Sequence, residues 1–337
     1  AFWVWRGDFQ AKPAPTFEER FCSFPLQAIS QGLEDTGMVS LVGLKSTGKT
    51  STVRHLLSTA RDRNAIFVPL LTTSDVHKGI YEVLVAGIPR LPRAAFYGYT
   101  HGLQLEPSTH KEFVDGVFRI LQEWTGRKVT LGLDLTPESG DVEDTFNSKK
   151  FINSIKHLAA DAEVAEVIFA ASEGLALLAV KEPRLRHFVA TELELSTAKD
   201  YLRHLGVPDE HCTDELLGKF PRTFACLLEF ANAGDRAAYA EARFAELIDT
   251  LKDVGFQCEG YCELYRQAQN GPVRRGEAIR LCNYSKQVLK DAVLATNIMS
   301  PVGGTRLALQ FDSIKAGVYK LLSAGHTCAP INDSSNV

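Results

Sequence analysis

Gly43-Leu44-Lys45-Ser46-Thr47-Gly48-Lys49-Thr50 lies between an apolar run, Met38 to Val42, and a helical pattern that begins at Ser51. The octet satisfies G-x-x-x-x-G-K-[ST] in full, in the strand, loop and helix setting that gives this spacing its meaning. Glycines let the backbone approach a phosphate closely, successive N–H groups converge on it, and the positive end of the following helix adds to the attraction. The expectation is a cradle made by Gly43, Lys45, Ser46, Thr47, Gly48, Lys49, Thr50 and Ser51. Within it Lys49 reaches the β- and γ-phosphates as a point charge, and the Thr50 hydroxyl ligates Mg²⁺.

The next apolar run to carry chemistry is Lys128-Val129-Thr130-Leu131-Gly132-Leu133-Asp134. A buried strand that ends in Asp, following such a loop in the same α/β pattern, places a carboxylate where it can hold Mg²⁺ through water. Thr50 and Asp134 are therefore the expected metal residues, with ATP and Mg²⁺ as the expected ligands. Leu135 follows Asp134 directly, and the nearest acids beyond it, Glu138, Asp141 and Glu143, read as solvated loop charge.

Other short apolar runs alternate with helical patterns. Ala65 to Leu71 suits a buried parallel strand, and Thr73-Ser74-Asp75 caps the helix after it. A Pro-, Gly- and Tyr-rich excursion spans 89–107, and Ser108 opens a helix whose Phe113, Val117, Ile120, Leu121 and Trp124 share one face. Glu166 to Glu173 reads as a fourth buried strand with a polar tip, and Phe188 to Leu195 as a return strand before a helix capped by Ser196.

This order of strand with GLKSTGKT, strand ending in Asp134, strand ending in Ser172, Arg-bearing link and LELSTAKDYLRHLG helix resembles the STAND-type ATPases, especially the archaeal-ATPase-like branch of the AAA+ superfamily. The resemblance covers about residues 16–322, and its specific part is the phosphate loop. It implies an α/β fold: a P-loop NTPase parallel sheet flanked by helices, then a helical lid and a C-terminal winged-helix-like unit. It further implies catalytic roles for Lys49 and Asp134, for Ser172 as the polar side chain facing the γ-phosphate, and for Arg184 or Arg186 in the link. The family commonly places a Glu directly after the Asp to polarise water. Leu135 stands there instead, so slow hydrolysis is expected. In the lid, Pro221 and Arg222 are the candidate nucleotide contacts.

The implied division is an N-terminal arm at 1–15, an ATPase domain at 16–206, a lid at 207–255, a winged-helix-like domain at 256–325 and a tail at 326–337. Pro13 and Pro15 separate the aromatic arm (Phe2, Trp3, Trp5) from a capping-box helix at Thr16 and Glu19. Phe21 to Pro25 either walls an adenine or caps the sheet. Short helices at 263–270, 273–281 and 285–297 precede a hairpin about Gly303-Gly304, which is the winged-helix order.

A 337-residue chain with 45% hydrophobic and 23% charged residues is an ordinary globular composition, long enough for two or three packed units. No run approaches the roughly 18 apolar residues of a membrane span. Seven cysteines without framework spacing, Cys258 and Cys262 among them, fit a reducing compartment, so an intracellular site in cytoplasm or organelle matrix is expected. The sequence begins at Ala1 without an initiator methionine, and a targeting signal upstream is not readable from it. The net charge is −4, yet residues 264–322 hold nine basic residues against three acids, +6 there and −10 elsewhere.

Three functions follow as expectations. The first is an ATP-binding switch or assembly scaffold, a slow ATP hydrolase if an enzyme. The second is a docking subunit of a larger complex or oligomer that retains the fold. The third is an ATPase that grips nucleic acid through the basic unit. A GTPase is disfavoured because no Asn-Lys-x-Asp sequence follows, and a small-molecule kinase because no Arg-rich segment follows Asp134.

Overall fold

Short runs of Val, Ile, Leu and Ala, too apolar to face water on either side, form five parallel strands with helices over both faces. The structure is a computed structural model. It describes residues 21–22, 24–43, 46–59, 64–71, 75–87, 109–135, 148–171, 183–190, 192–252, 259–281, 299–302, 306–309 and 312–323.

The strands are β1 (Met38–Val42), β2 (Asn64–Leu71), β3 (Val129–Leu135), β4 (Ala165–Ala171) and β5 (Arg186–Val189), in the order β2-β3-β4-β1-β5. Every described pairing among them is parallel. Side-chain alternation divides the core in two. Leu131, Leu133 and Leu135 of β3, with Val167 and Phe169 of β4, pack beneath α3 (Val76–Gly87), α4 (His110–Thr125) and α5 (Ser148–Lys156). Val39 and Leu41 of β1, with Ile168 and Ala170 of β4, pack beneath α1 (Leu26–Thr36) and α2 (Lys49–Thr59).

Local signals set most helix ends. Asp75 Oδ1 accepts from the Lys78 N–H at 3.0 Å and Thr109 Oγ1 from the Glu112 N–H at 3.2 Å, so Thr109 caps α4 where Ser108 was expected to open it. Helix α1 was not expected. Ile29 and Leu33 are its buried face, and Gly37, at φ 71°, closes it by donating to the Leu33 carbonyl at 2.8 Å. Phe24 packs with Ile29, Leu33, Val53 and Leu57, which assigns it to the core under the sheet rather than to an adenine wall. The expected return strand is shorter, begins at Arg186 and runs parallel to β1.

Chain contacts divide the molecule into two compact units, residues 1–190 and 191–337. The second opens with α6 (Leu195–His204), preceded by Glu194 rather than capped by Ser196. Ala198 and Leu202 of this helix share a core with Leu217, Phe220, Leu227 and Phe230, contributed around α7 (Asp214–Leu217) and α8 (Phe224–Asn232). Helix α9 (Arg236–Leu251) follows. Beyond it come α10 (Glu259–Gln269), β6 (Val273–Arg274), α11 (Arg275–Leu281), β7 (Met299–Val302), β8 (Arg306–Leu309) and α12 (Asp312–Ser323). The three short strands form an antiparallel sheet in the order β6-β8-β7. The hairpin strands lie where they were expected, whereas the turn at Gly303-Gly304 and the helix at 285–297 lie outside the described residues. So do the arm at 1–15, the excursion at 89–107, the tail at 326–337 and Cys258. Among the described residues no helix is long and apolar enough to cross a membrane.

Candidate phosphate-binding site

Between β1 and α2 the backbone departs from ordinary L-residue geometry at three places: φ is 151° at Gly43, 68° at Ser46 and 87° at Gly48. Residues of such inverted handedness turn neighbouring N–H groups to one side of a loop and make an anion-binding concavity. Gly43 has a second reason to be glycine, since a Cβ there would lie 2.8 Å from the Ala190 Cβ and 3.0 Å from the Ala190 carbonyl. Thr47 is buried, and its Oγ1 would lie 3.2 Å from that same Cβ, so what it can offer a phosphate is its N–H. Lys49 Nζ donates to the Gly43 carbonyl at 2.5 Å, which holds the ammonium at the loop. Ser51 is half-buried on α2, and Lys45 lies outside the described residues.

Asp134 meets this loop from 84 residues away: Thr50 Oγ1 donates to Asp134 Oδ2 at 2.9 Å. The alternation of β3 explains the meeting. Gly132 and Asp134 share the face that α2 covers, while Leu133 and Leu135 face the opposite layer. Gly132 has no place in the loop motif, yet it sets how closely α2 can lie: a Cβ on it would be 2.5 Å from Leu57 Cδ1 and 2.7 Å from Val53 Cγ1. Burial pushes the Asp134 carboxyl up from the ordinary range, opposed by the Thr50 hydrogen bond and by Arg54 and Lys49.

Leu135 is 4% exposed in the apolar layer. A glutamate there would be buried among leucines rather than aimed at a water. The link arginines are not brought to the loop either. In the parallel register Arg186 stands beside Val39 at the start of β1, whereas Val42, next to the loop, stands beside Val189. Three residues of strand, about 10 Å, separate these levels, and Arg186 Nη2 pairs with Asp35 at 2.9 Å. Arg184 is exposed just before it. The register and the Asp35 pair thus keep Arg186 away from the loop of its own chain. Ser172, Glu138, Asp141 and Glu143 lie outside the described residues; Ala171, which precedes Ser172, stands in register between Val42 and Leu135.

Arg222 is likewise not available to a nucleotide. It is buried, and its Nη2 lies 3.0 Å from Glu192 Oε1 and 2.9 Å from Asp312 Oδ2, while Nε donates to the Leu193 carbonyl at 2.8 Å. A serine–histidine pair, Ser40 Oγ with His187 Nδ1 at 2.6 Å, is structural, because Ser40 has no exposed surface from which to attack a substrate.

No family model matches the sequence, and no match is found among curated proteins. Solved structures do match. A Walker-type ATPase of Pyrococcus abyssi shares 14% identity at a TM-score of 0.53, over 94% of this chain and 99% of that one. A STAND protein with a tetratricopeptide repeat sensor from Pyrococcus horikoshii shares 13% at 0.44, over 93% of this chain and 44% of that one. The ORC2 protein of Aeropyrum pernix, solved as ADPNP–ADP complexes, shares 12% at 0.42, over 96% and 98%. Together with the strand order and the loop, the first of these likenesses shows that the chain carries a P-loop ATPase fold.

Proposed function

We propose that the N-terminal unit binds Mg²⁺-ATP and acts as a nucleotide-dependent switch or assembly scaffold with slow hydrolysis. One observation carries the reading: the 2.9 Å bond between Thr50 and Asp134. It brings together the hydroxyl and the carboxylate that a single Mg²⁺ needs, at a loop whose positive-φ residues are arranged for phosphate. Slow turnover is argued from Arg186, which is committed to Asp35 and stands away from the loop. Phosphoryl transfer is mostly positioning and charge stabilisation, so an unoriented water costs orders of magnitude in rate while leaving binding intact. The description of the Pyrococcus abyssi neighbour as a Walker-type ATPase agrees with this reading.

Titration with a fluorescent ATP analogue tests it. Lys49→Ala should bind much more weakly than the parent, and equal affinities would end the phosphate-cradle assignment. Thr50→Ala and Asp134→Ala should each weaken the Mg²⁺ complex, and together by less than the sum, because both act through one ion. The purified protein should turn over well below roughly 1 s⁻¹. Turnover of tens per second would overturn the switch reading and leave an ordinary hydrolase.

A further inference from the structure

On the sheet face opposite α2, three side chains from three helices converge: His77 in the first turn of α3, Asp115 in α4, and His157 where α5 passes into a π-turn over His157–Asp161. One donor atom from each lies within 4.8 Å of the others. His157 Nε2 and Asp115 Oδ2 are 2.8 Å apart, and the two imidazoles are tilted by 56° with centroids 5.9 Å apart, so they converge without stacking. That one bond does not satisfy the cluster. His77 Nε2 and Asp115 Oδ1 are both buried without a hydrogen-bond partner among the described residues, and His77 as a whole is 7% exposed. Burying such a group without a partner is unfavourable unless something else satisfies it. The phosphate site does not use these residues, and the His157–Asp115 bond, which ties α4 to the end of α5, leaves His77 and the second Asp115 oxygen unaccounted for. A π-turn at one of them is a second sign, since such turns re-aim a side chain and recur at functional sites.

We propose that His77, Asp115 and His157 form a site for a zinc-class divalent metal ion, distinct from the Mg²⁺ position at Thr50 and Asp134. The donor set is the nitrogen and oxygen mixture that such ions take, with bonds of about 2.0–2.2 Å. Tetrahedral ligands at those lengths stand about 3.3 Å apart, so the widest pair closes by about 1.5 Å at most. Three protein ligands leave a fourth position open. Both histidines line a cleft of about 1010 Å³ whose wall also carries His110, Lys111, Lys149 and the ion pair of Lys150 with Asp75, so a small ligand can reach that position from solvent.

The test loads chelator-treated full-length protein with Co²⁺ and follows visible absorption. One ion per chain is expected, with d–d bands of tetrahedral or five-coordinate type that shift on adding azide. His77→Ala, His157→Gln and Asp115→Asn should each weaken Co²⁺ binding by roughly 100-fold or more, beyond the 10- to 100-fold seen for groups that only orient a ligand. Asp115→Asn and His157→Gln are near in shape to the parent residues, and thermal melts check that they fold. Lys49→Ala should keep the bands, which separates this site from the nucleotide site. Absence of bands, Co²⁺ binding unchanged in folded variants, or a thiolate charge-transfer band marking cysteine ligands would each overturn the proposal. Bands indifferent to azide would overturn the open position.

Discussion

Asp134 serves two opposed demands. It is 8% exposed, and burial is the largest influence on it, raising its pKa above the ordinary 3.8 despite the Thr50 hydroxyl, Arg54 and Lys49. A carboxyl whose folded pKa lies above its unfolded value favours folding most when protonated, and that contribution is lost as pH rises through the folded pKa. Above its folded pKa the parent carries an ionised carboxylate against the preference of the fold, and the proposed Mg²⁺ is what would need it. Asp134→Asn should melt at a higher temperature than the parent at pH 8, with a smaller difference near pH 4, and should lose affinity for Mg²⁺-ATP. Calorimetry at the two pH values decides: a variant less stable than the parent at pH 8 would mean that the Thr50 bond outweighs burial. Proton competition at the same group predicts that Mg²⁺-ATP binding by the parent weakens as pH falls.

Packing between elements rests on contacts that no motif announces. Gly132 lets α2 lie against β3, which brings Thr50 to Asp134. In the second unit, Arg222 ties three segments together: Glu192 ahead of α6, the turn before α8, and Asp312 at the start of α12. Glu192 also accepts from the N–H groups of Arg222 and Asp312, at 3.2 and 2.8 Å. Burial raises the Glu192 pKa while these partners oppose it. Removing one member of a buried pair leaves the other uncompensated, at a cost of about 3–5 kcal/mol. Arg222→Met should therefore lower the melting temperature sharply, and Arg222→Met with Glu192→Gln should recover part of the loss. Asp312→Ala, whose carboxylate is largely exposed, should cost much less. A double variant no more stable than Arg222→Met alone would show that the clamp works through packing and not charge.

Taken whole, the chain is acidic with a basic C-terminal stretch, and the third function rests on that contrast. The structure weakens the contrast by pairing. Arg266 is bound by Glu263, which lies one residue outside the counted window, Arg280 by Glu277, and Lys315 by Asp312. Lys320 lies over the Phe244 ring at 5.1 Å. Glu277 and Asp312 are already counted in the +6, so pairing lowers the excess only through Glu263, to +5, and the salt dependence of any affinity for duplex DNA measures how many of these charges meet phosphates. A loss of about 10³-fold or more between 50 and 200 mM salt would indicate six or more phosphate contacts and restore the nucleic-acid reading.

The glycine loop, the buried strands and the cap at Asp75 were legible in the sequence because their causes are local. Gly43 and Gly48 supply the positive φ, unbroken apolar runs have nowhere to go but a doubly covered sheet, and Asp75 accepts from an N–H group three residues on. Asp134 was legible as a candidate only, since any strand can end in aspartate. Its partnership with Thr50 depends on strand order and on which face of β3 lies under α2, and those follow from packing across the whole sheet. The same causes moved Arg186 away from the loop: parallel register sets its level, and register is fixed by pairing with β1, not by position in the link. His77, Asp115 and His157, spaced 38 and 42 residues apart on three helices, and the clamp of Glu192, Arg222 and Asp312 left no periodic or spaced signal. Only the tertiary structure assembles them, because a side chain's burial and partners are properties of the elements packed around it.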